Sequence, residues 1–284
     1  MKILELFAGT RSISKEFEKC GHEVFTIEFD EQHKDIDWYT DIMNVKASDI
    51  IEKFGYPDVI WASPPCTKFS VASIGRHWDK ETRKPKNKET EDALNLLIHT
   101  IELIKELNPK YFFIENPRGM MRKMDCLQEF DRHTVTYCQY GDTRMKPTDI
   151  WTNHPNPKFK PACKNGNPCH VSAPRGSRTG TQGIKNVIDR SRIPKELCEH
   201  ISIISGENMF EYIAEYIIEK VSRGTLSGFQ SIIEFSDIYD KFKIKLDSDM
   251  LDEFIDYLNN RDEFADIIIE ENSLDIVLYT DYCK

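Results

Sequence analysis

Cys66 lies at a rigid corner of the chain, directly after Pro64 and Pro65 in the stretch WASPPCTKFS. The apolar run at 59–62 predicts a strand, which ends here because proline cannot continue a β-ladder. Such a corner presents the next side chain at the rim of a sheet, where an exposed thiol can act as a nucleophile. Taken alone, the same motif is also compatible with an ordinary turn that carries a cysteine.

Other candidate functional groups follow the remaining predicted strands. The first strand, in KILELFAG, ends in a glycine turn at Gly9, and the second, in HEVFTIEFD, ends on Glu28. Glu115 directly follows the apolar run at 111–114. Ligands of open parallel sheets lie at the carboxyl ends of the strands, so these groups and Cys66 are expected at one edge. The sequence therefore predicts a site with a glycine turn, two carboxylates and a thiol.

A thiolate next to a carboxylic acid is suited to covalent attack on an electron-poor ring. Carbon 5 of cytosine, for example, is unreactive until a nucleophile adds to carbon 6. Cys66 would form that bond while Glu115 protonates or hydrogen-bonds N3 of the ring. The activated carbon 5 could then take a methyl group from an electrophilic cofactor.

The elements that must position these groups alternate between strand and helix. Residues 12–20 predict a helix after the first strand, and apolar residues recur at helical spacing through 89–107. This alternation predicts an α/β fold with a mostly parallel sheet and helices on both faces. Further helices are predicted at 194–204, 207–221, 232–242 and 248–258, and the last 20 residues contain a hairpin pattern.

Composition divides the chain into four segments. Residues 1–150 form the predicted catalytic core, 151–190 a short irregular segment, 191–223 helices that complete the core, and 228–284 a small α+β domain. The net charge of −10 comes entirely from 228–284, where 15 acidic residues face 5 basic ones. Residues 144–195, in contrast, carry 11 basic and 2 acidic side chains, and a second basic stretch spans 76–88. The basic regions favour a phosphate backbone as partner, while the acidic domain favours a protein partner.

The eight cysteines are too scattered for a secreted disulfide scaffold, which favours a reducing cytoplasm. No apolar run approaches the ~20 residues of a membrane span, and the first predicted strand begins at Lys2, before any signal peptide could fit. We therefore expect a cytoplasmic protein without a membrane partner, in the host cytoplasm if a phage or virus encodes it.

Several separate motifs together resemble the DNA (cytosine-5) methyltransferase family, in particular its compact phage and viral members. LELFAGT resembles the family's glycine motif, PPCTKFS its Pro-Cys motif and ENP its Glu-Asn-Val motif. Tyr140-Gly141 with Arg144 and Lys146 resembles its basic motif, and SRIPKEL resembles the motif at the far end of the catalytic region. The motifs occur in the family's order over about the first 205 residues.

The resemblance implies a Rossmann-like fold that binds S-adenosylmethionine and acts on double-stranded DNA with the target cytosine flipped out of the duplex. It implies catalytic roles for Cys66, Glu115, Arg144 and Lys146. The implied cofactor contacts are Phe7, Gly9, Thr10, Glu28, Asp41, Ile42, Pro64 and Ser191.

The resemblance also makes residues 151–190 a reduced target-recognition segment and 71–88 a loop that closes over DNA. Arg76 or Trp78 could fill the gap that the flipped base leaves. An aromatic ring packed on the loop's own residues is an equal alternative for Trp78.

Two departures from the family pattern leave other functions open. Arg11 stands where the cofactor loop usually has a small residue, and Thr67 follows the nucleophile in place of glutamine. Both favour a degenerate module that binds DNA or protein without turnover. An RNA cytosine-5 methyltransferase on the same scaffold is a third hypothesis.

Three potential zinc ligands lie within the short basic segment, at Cys163, Cys169 and His170. His154 or Cys198 could supply a fourth ligand, and zinc would hold a short loop-rich segment in shape. The C-x5-C spacing is looser than C-x2-C, which favours the alternative of an ordinary loop with unligated thiols.

Overall fold

The computed structural model divides the chain into two compact units, Met1–Ser205 and Gly206–Lys284. The residues that the structure describes are 1–71, 73–164, 166–171, 186–206, 210, 213–214, 216–218, 220, 230–242, 248–261, 264–269 and 273–278. Among these described residues, no helix combines the length and the apolar character that crossing a membrane requires.

The first unit is built on a seven-stranded sheet. Its strands are β1 (Lys2–Leu6), β2 (Glu23–Glu28), β3 (Trp38–Tyr39), β4 (Val59–Ala62), β5 (Tyr111–Pro117), β6 (Asp131–Thr136) and β7 (Pro147–Thr152). They lie in the order β3–β2–β1–β4–β5–β7–β6. The first five are mutually parallel, whereas β7 runs antiparallel to both of its neighbours. The predicted mostly parallel sheet is confirmed, but β6 and β7 lie where the sequence pattern predicted no strand.

Helices cover both faces of this sheet. They are α1 (Ser12–Lys19), α2 (Ala47–Lys53), α3 (Ile74–His77), α4 (Lys88–Leu107), α5 (Val187–Ser191) and α6 (Lys195–Ser205). The predicted helices at 12–20, 89–107 and 194–204 are therefore confirmed to within one residue at each end. Short 3₁₀ helices at Ile42–Asn44, Met120–Lys123, Asp125–Leu127 and Tyr137–Tyr140 complete the connections.

Two apolar clusters form the core, one on each face of the sheet. Because side chains alternate across a strand, Ile3 enters one cluster and Leu4 the other. Leu4 packs in the cluster that contains Leu97 of α4, while Ile3 packs in the cluster that contains Phe17 of α1 and residues of α6. Helices thus pack against β1 and β4 on both faces of the sheet, which fixes the positions of the carboxyl ends of these two strands.

Strand β5 pairs with the antiparallel strand β7 over more residues than with its parallel neighbour β4. Pairing of β5 with β4 ends at Ile114, but pairing with β7 continues to Pro117. Asp149 on β7 is fully buried, and its carboxylate pairs with Arg122, whose guanidinium also donates to Thr134 Oγ1 at 2.8 Å. The far edge of the sheet is therefore held by a buried ion pair as well as by apolar contacts.

The second unit contains β8 (Gln230–Glu234), α7 (Phe235–Phe242), α8 (Ser248–Asn259), β9 (Phe264–Ile269) and β10 (Ser273–Leu278). Its strands form an antiparallel sheet in the order β8–β10–β9, which confirms the predicted α+β character and hairpin. The helix predicted at 232–242 is wrong in its first turn. Ile232 is 61% exposed while Ile233 is fully buried, an alternation typical of a strand. The helix predicted at 207–221 lies partly outside the described residues, and those described between 210 and 220 are helical.

Candidate active site

Cys66 lies beyond the end of β4, and Glu115 lies on β5 just past the last residue that pairs with β4. Ala62 of β4 is in register with Ile114 of β5, so Glu115 follows one residue after the last paired position and Cys66 follows four residues after it. Cys66 is half-buried at the start of a tight turn, in which its carbonyl accepts hydrogen bonds from Phe69 N at 3.0 Å and Ser70 N at 2.9 Å. The thiol and the carboxylate therefore share one edge of the sheet.

A side-chain hydrogen bond joins the two strand ends. Asn116 is fully buried, and its Nδ2 donates to the carbonyl oxygen of Pro64 at 2.8 Å. Pro64 precedes the nucleophile corner by two residues, and Asn116 directly follows Glu115. This bond consequently fixes the position of the cysteine corner relative to the carboxylate.

The electrostatic surroundings of Cys66 are mixed. Burial raises the pKa of the Cys66 thiol, and the charge of Glu115 raises it further, whereas Lys146 and Arg190 lower it. The net shift is upward, so the thiol is protonated at neutral pH in the protein without substrate. The two cations are the groups that would stabilise a thiolate once it forms.

Glu115 is held by a buried tyrosine that the sequence analysis did not identify. The carboxylate is only 6% exposed, and its Oε1 accepts a hydrogen bond from the hydroxyl of Tyr137 at 3.0 Å. Burial raises the pKa of Tyr137 well above its usual value, and the charge of Glu115 adds to the shift, so the phenol remains a donor. Tyr137 thus orients the acid toward the cysteine edge.

Lys146 and Arg144 occupy different positions in the site. The ammonium of Lys146 lies 4.2 Å from the centre of the Tyr137 ring, and burial lowers its pKa while the charge of Glu115 raises it. Its Nζ also donates to the carbonyl of Arg190 at 3.4 Å. These contacts bring Lys146 to the predicted site.

Arg144 instead braces the backbone. Its guanidinium pairs with Asp142, and it donates to the carbonyls of Asp189 at 3.3 Å, Arg190 at 3.1 Å and Arg192 at 3.4 Å. The residue is 5% exposed, and these bonds engage every nitrogen of its guanidinium. Arg144 therefore positions the 189–192 segment beside the site.

The predicted cofactor loop follows β1. Gly9 has φ of 51°, and its backbone N donates to Glu28 Oε2 at 2.9 Å. Glu28 Oε1 accepts from the backbone N of Phe29 at 2.8 Å and of Asp30 at 3.0 Å. A Cβ placed at Gly9 would make ordinary contacts at 3.8–4.0 Å with the carbonyl oxygen of Phe7 and the ring of His33. The arrangement fits a ribose held by Glu28 beside a glycine turn.

The departure at Arg11 does not remove the turn. Arg11 adopts the left-handed conformation, with φ of 55°, and its N donates to the carbonyl of Ala8 at 2.7 Å. Its side chain is turned along α1, where it pairs with Glu18. The Arg11 guanidinium is therefore engaged with α1.

The remaining predicted cofactor contacts are distributed around this loop. Asp41 caps a 3₁₀ turn by accepting from Met43 N at 3.0 Å, and Ile42 packs into the core with 3% exposure. Phe7 packs against the same cluster, and Thr10 Oγ1 lies 2.7 Å from Ser12 Oγ. Pro64 is buried and Ser191 is exposed at the end of α5.

Trp78 is packed into the core. It is fully buried, its indole N–H donates to the carbonyl of Lys68 at 2.7 Å, and its ring packs at a tilt against Phe69 with centroids 5.4 Å apart. Arg76 of the same loop is exposed. Of the two predicted wedge residues, Arg76 is exposed, whereas Trp78 is buried in the core against residues that precede the loop.

The three predicted metal ligands lie together, but the predicted fourth ligand is wrong. Cys163, Cys169 and His170 are joined by Cys138, and one ligand atom from each lies within 4.8 Å of the others. His154 is turned away, with Nε2 bonded to the carbonyl of Ile204 at 2.9 Å, and Cys198 is buried in the apolar core. Cys138 lies 25 residues before Cys163, so spacing within the segment could not reveal it. The predicted recognition segment spans residues 151–190, and of these, 165 and 172–185 lie outside the described residues.

Comparison with known proteins gives matches centred on the site region. The family model "C-5 cytosine-specific DNA methylase" matches residues 1–134, which include Gly9, Glu28, Cys66 and Glu115. The chain is 33% identical over 159 residues to the "Probable DNA (cytosine-5)-methyltransferase" of Frog virus 3 (isolate Goorha), covering 54% of this chain and 71% of the viral protein.

Matches to longer proteins are partial. The chain is 31% identical over 145 residues to the type II methyltransferase M.FnuDI of Fusobacterium nucleatum, covering 46% of this chain and 38% of that enzyme. Among solved structures, a mutant of Spodoptera frugiperda DNMT2 matches with 19% identity and a TM-score of 0.37, covering 53% of this chain and 49% of the other. The chain thus spans less than half the length of these two proteins.

Proposed function

The chain belongs to the C-5 cytosine-specific DNA methylase family, and on that premise we propose that it methylates carbon 5 of cytosine in DNA through a covalent adduct with Cys66. S-adenosylmethionine is the cofactor of this family. The observation that carries the proposal is the position of the thiol and the acid at one edge of the sheet, next to neighbouring strands. The hydrogen bond from Asn116 Nδ2 to the carbonyl of Pro64 holds the two segments together. A cysteine and a carboxylic acid on one edge are the two groups that this chemistry needs.

Attack by Cys66 is the first step of the proposed reaction. The thiol gives its proton to solvent as its sulfur bonds to carbon 6 of the cytosine, and Lys146 and Arg190 stabilise the negative charge that develops on sulfur. Glu115, held by Tyr137, takes up a proton and donates it in a hydrogen bond to N3, which draws electrons out of the ring. Carbon 5 becomes nucleophilic as a result. After methylation, solvent takes up the proton from carbon 5 as the thiolate is eliminated, which restores the aromatic ring, and the thiolate then regains a proton to restore the enzyme.

The cofactor would lie over the glycine loop. Glu28 Oε2 would accept a hydrogen bond from a ribose hydroxyl, since it has a lone pair beyond the one used by Gly9 N, whereas Phe29 N and Asp30 N use both lone pairs of Oε1. Gly9 allows the cofactor to approach the backbone. When bound there, S-adenosylmethionine supplies an electrophilic methyl group. Asp41 and Ser191 are the further polar contacts in this proposal.

The DNA would approach from the side of the loop after Cys66. Lys80, Arg83 and Lys84 of this loop are exposed, and Arg76 is exposed beside them. Cations in this arrangement neutralise phosphates and release counterions, so binding should weaken steeply with salt. The target cytosine must leave the stack to reach a half-buried thiol, and we assign Arg76 to the space it vacates. Arg144 holds the 189–192 segment and would act on the base only through Lys146 and Arg190.

Trapping on fluorinated DNA tests the covalent step. Duplexes with 5-fluorocytosine are incubated with the protein and labelled S-adenosylmethionine, and denaturing gels report a covalent complex that carries the label. We expect trapping by the unmutated protein and by Cys126→Ser, a half-buried thiol outside the site, and none by Cys66→Ala. Labelled single-stranded RNA of the same sequence should give no complex.

Three results would contradict the proposal. Trapping by Cys66→Ala would show that Cys66 is not the nucleophile. The absence of transfer to DNA of many sequences by folded, cofactor-binding protein would instead indicate a binding module. Preferential trapping on RNA would move the assignment to an RNA methyltransferase.

The acidic second unit would contact a protein in this proposal. Asp252 and Asp256 are exposed one turn apart on α8, within a region whose charge opposes DNA. Replacing both by asparagine should leave DNA affinity unchanged or slightly higher. A clear loss of affinity would assign this unit to the DNA instead.

A further inference from the structure

Four potential metal ligands meet beside the catalytic region, outside the proposed reaction centre. The Sγ of Cys163 lies 3.2 Å from the Sγ of Cys169 and 3.6 Å from Nδ1 of His170. The Sγ of Cys169 lies 3.7 Å from the Sγ of Cys138 and 3.6 Å from the same Nδ1. Three thiols and an imidazole thus surround one point.

These separations match a tetrahedral zinc site. With Zn–S bonds of about 2.3 Å and a Zn–N bond of about 2.0–2.1 Å, tetrahedral angles give S···S of about 3.8 Å and S···N of about 3.6 Å. Three of the four distances agree closely with these values, and the pair Cys163–Cys169 is shorter. All four ligands come from the protein, which is the pattern of structural rather than catalytic zinc.

Burial and backbone bonds hold the cluster in place. Cys138, Cys163 and His170 are buried, and Cys169 is exposed. The backbone N of Cys163 donates to Thr136 Oγ1 at 2.8 Å. The cluster therefore lies against the end of β6 with three ligands already ordered.

We propose that Cys138, Cys163, Cys169 and His170 bind one structural zinc ion. Cys138 belongs to the 3₁₀ turn Tyr137–Tyr140, which carries the tyrosine bonded to Glu115. The other three ligands precede the basic residues 172–185. Zinc would join the start of this basic stretch to the turn that orients the catalytic acid. The zinc ion would stabilise the segment around Cys163, Cys169 and His170, which is too short to form an apolar core of its own.

A disulfide between Cys163 and Cys169 is the competing use of these thiols. It would remove two ligands and leave Cys138 and His170 unable to hold the ion alone. Thiol counting separates the two states, because the chain has eight cysteines. Under denaturing, metal-chelating conditions without reductant, the zinc protein should give eight reactive thiols and the disulfide form six.

Metal content of the full chain tests the proposal directly. Protein purified under reducing conditions with added zinc, then dialysed, should contain one zinc per chain by mass spectrometry of the elements. Cys138→Ser and Cys163→Ser should each reduce zinc retention at least tenfold. Cys198→Ala is the matched control, a buried cysteine of the same unit that should keep the full amount.

Cobalt substitution covers the case in which the ligand variants fail to fold. The unmutated chain, reconstituted with Co²⁺, should show the absorption of a tetrahedral ion together with charge-transfer bands from three thiolates. Less than a tenth of a zinc per chain, six reactive thiols, full retention by folded Cys138→Ser, or an octahedral cobalt spectrum would each overturn the proposal. None of these measurements depends on methyl transfer, so the outcome is independent of the proposed function.

Discussion

Gly119 provides the sharpest test of how the nucleophile corner is held. This glycine forms a bridge to Ser70, and the next amide, Met120 N, donates to the carbonyl of Phe69 at 2.7 Å. A Cβ at Gly119 would lie 3.1 Å from the carbonyl carbon of Phe69 and 3.3 Å from Cα of Ser70, and closer still to the Phe69 oxygen. Gly119→Ala must therefore displace the backbone that follows Cys66.

The expected cost follows from the nature of the clash. Overpacking in a well-packed core costs about 1–3 kcal/mol, and backbone cannot rotate away as a side chain can. Loss of the hydrogen bond at Met120 adds about 1 kcal/mol. We expect the free energy of unfolding to fall by about 3 kcal/mol. Because the Phe69 and Ser70 amides bond to the Cys66 carbonyl, a shift of about 1 Å should also slow methyl transfer by about 10²-fold.

Urea denaturation and single-turnover methylation measure the two effects. Gly75→Ala is the control, since it lies in α3 and a Cβ there meets nothing within 4 Å. That variant should be neutral or slightly stabilised, with an unchanged rate. If Gly119→Ala changed stability by less than about 0.5 kcal/mol and left the rate unaffected, the assigned role of this contact would be wrong.

Three further predictions follow from buried polar groups. Tyr137→Phe removes the donor to Glu115, worth about 1.5–3 kcal/mol, and should slow single-turnover transfer by about 10–100-fold without changing cofactor affinity. Arg122→Met leaves the buried charge of Asp149 unpaired and should cost about 3–5 kcal/mol in urea denaturation, with partial recovery when Asp149→Asn is added. Burial lowers the pKa of His200 from 6.5 to about 4, so the unfolded chain binds a proton first as pH falls. His200 should therefore lower the free energy of unfolding by about 2 kcal/mol between pH 7 and pH 5, a difference that His200→Gln should abolish in denaturation curves at the two pH values.

The parallel half of the fold and the two reacting groups were predictable from the sequence. Strands β1 and β4 are mostly apolar runs with clear ends, and α4 is capped by Asn87, whose side chain accepts from Thr90 N at 3.0 Å. Local pattern suffices for such elements because their burial is uniform along the strand or periodic along the helix. The position of Cys66 follows from the end of β4, and that of Glu115 follows from the end of the apolar run at 111–114.

The antiparallel edge was not predictable in the same way. Strand β7 buries Thr148, Asp149 and Thr152, three polar residues that interrupt any apolar pattern. They are tolerated because groups distant in the chain form hydrogen bonds and ion pairs with them. Arg122 pairs with Asp149, and Thr152 Oγ1 donates to the carbonyl of Phe112 at 2.6 Å. Such partners depend on tertiary contacts, so a window of sequence cannot reveal them.

Some site residues were hidden for the same reason. Tyr137, Asn116 and Cys138 act through partners that lie more than 20 residues away in the chain. Their residue types are ordinary, and only the fold brings them to the site. A tyrosine after a strand or an asparagine after a glutamate has no local signature of its function.

The bracing of residues 189–192 by Arg144 has a consequence for engineering and evolution of specificity. The body of the protein fixes both ends of the stretch between β7 and α6, one by strand pairing and the other by these backbone hydrogen bonds. Lengthening a loop whose ends are already held costs little, about 0.6 kcal/mol for each doubling. We therefore expect an insertion between residues 171 and 186, within the predicted target-recognition segment, to leave the positions of Cys66 and Glu115 unchanged.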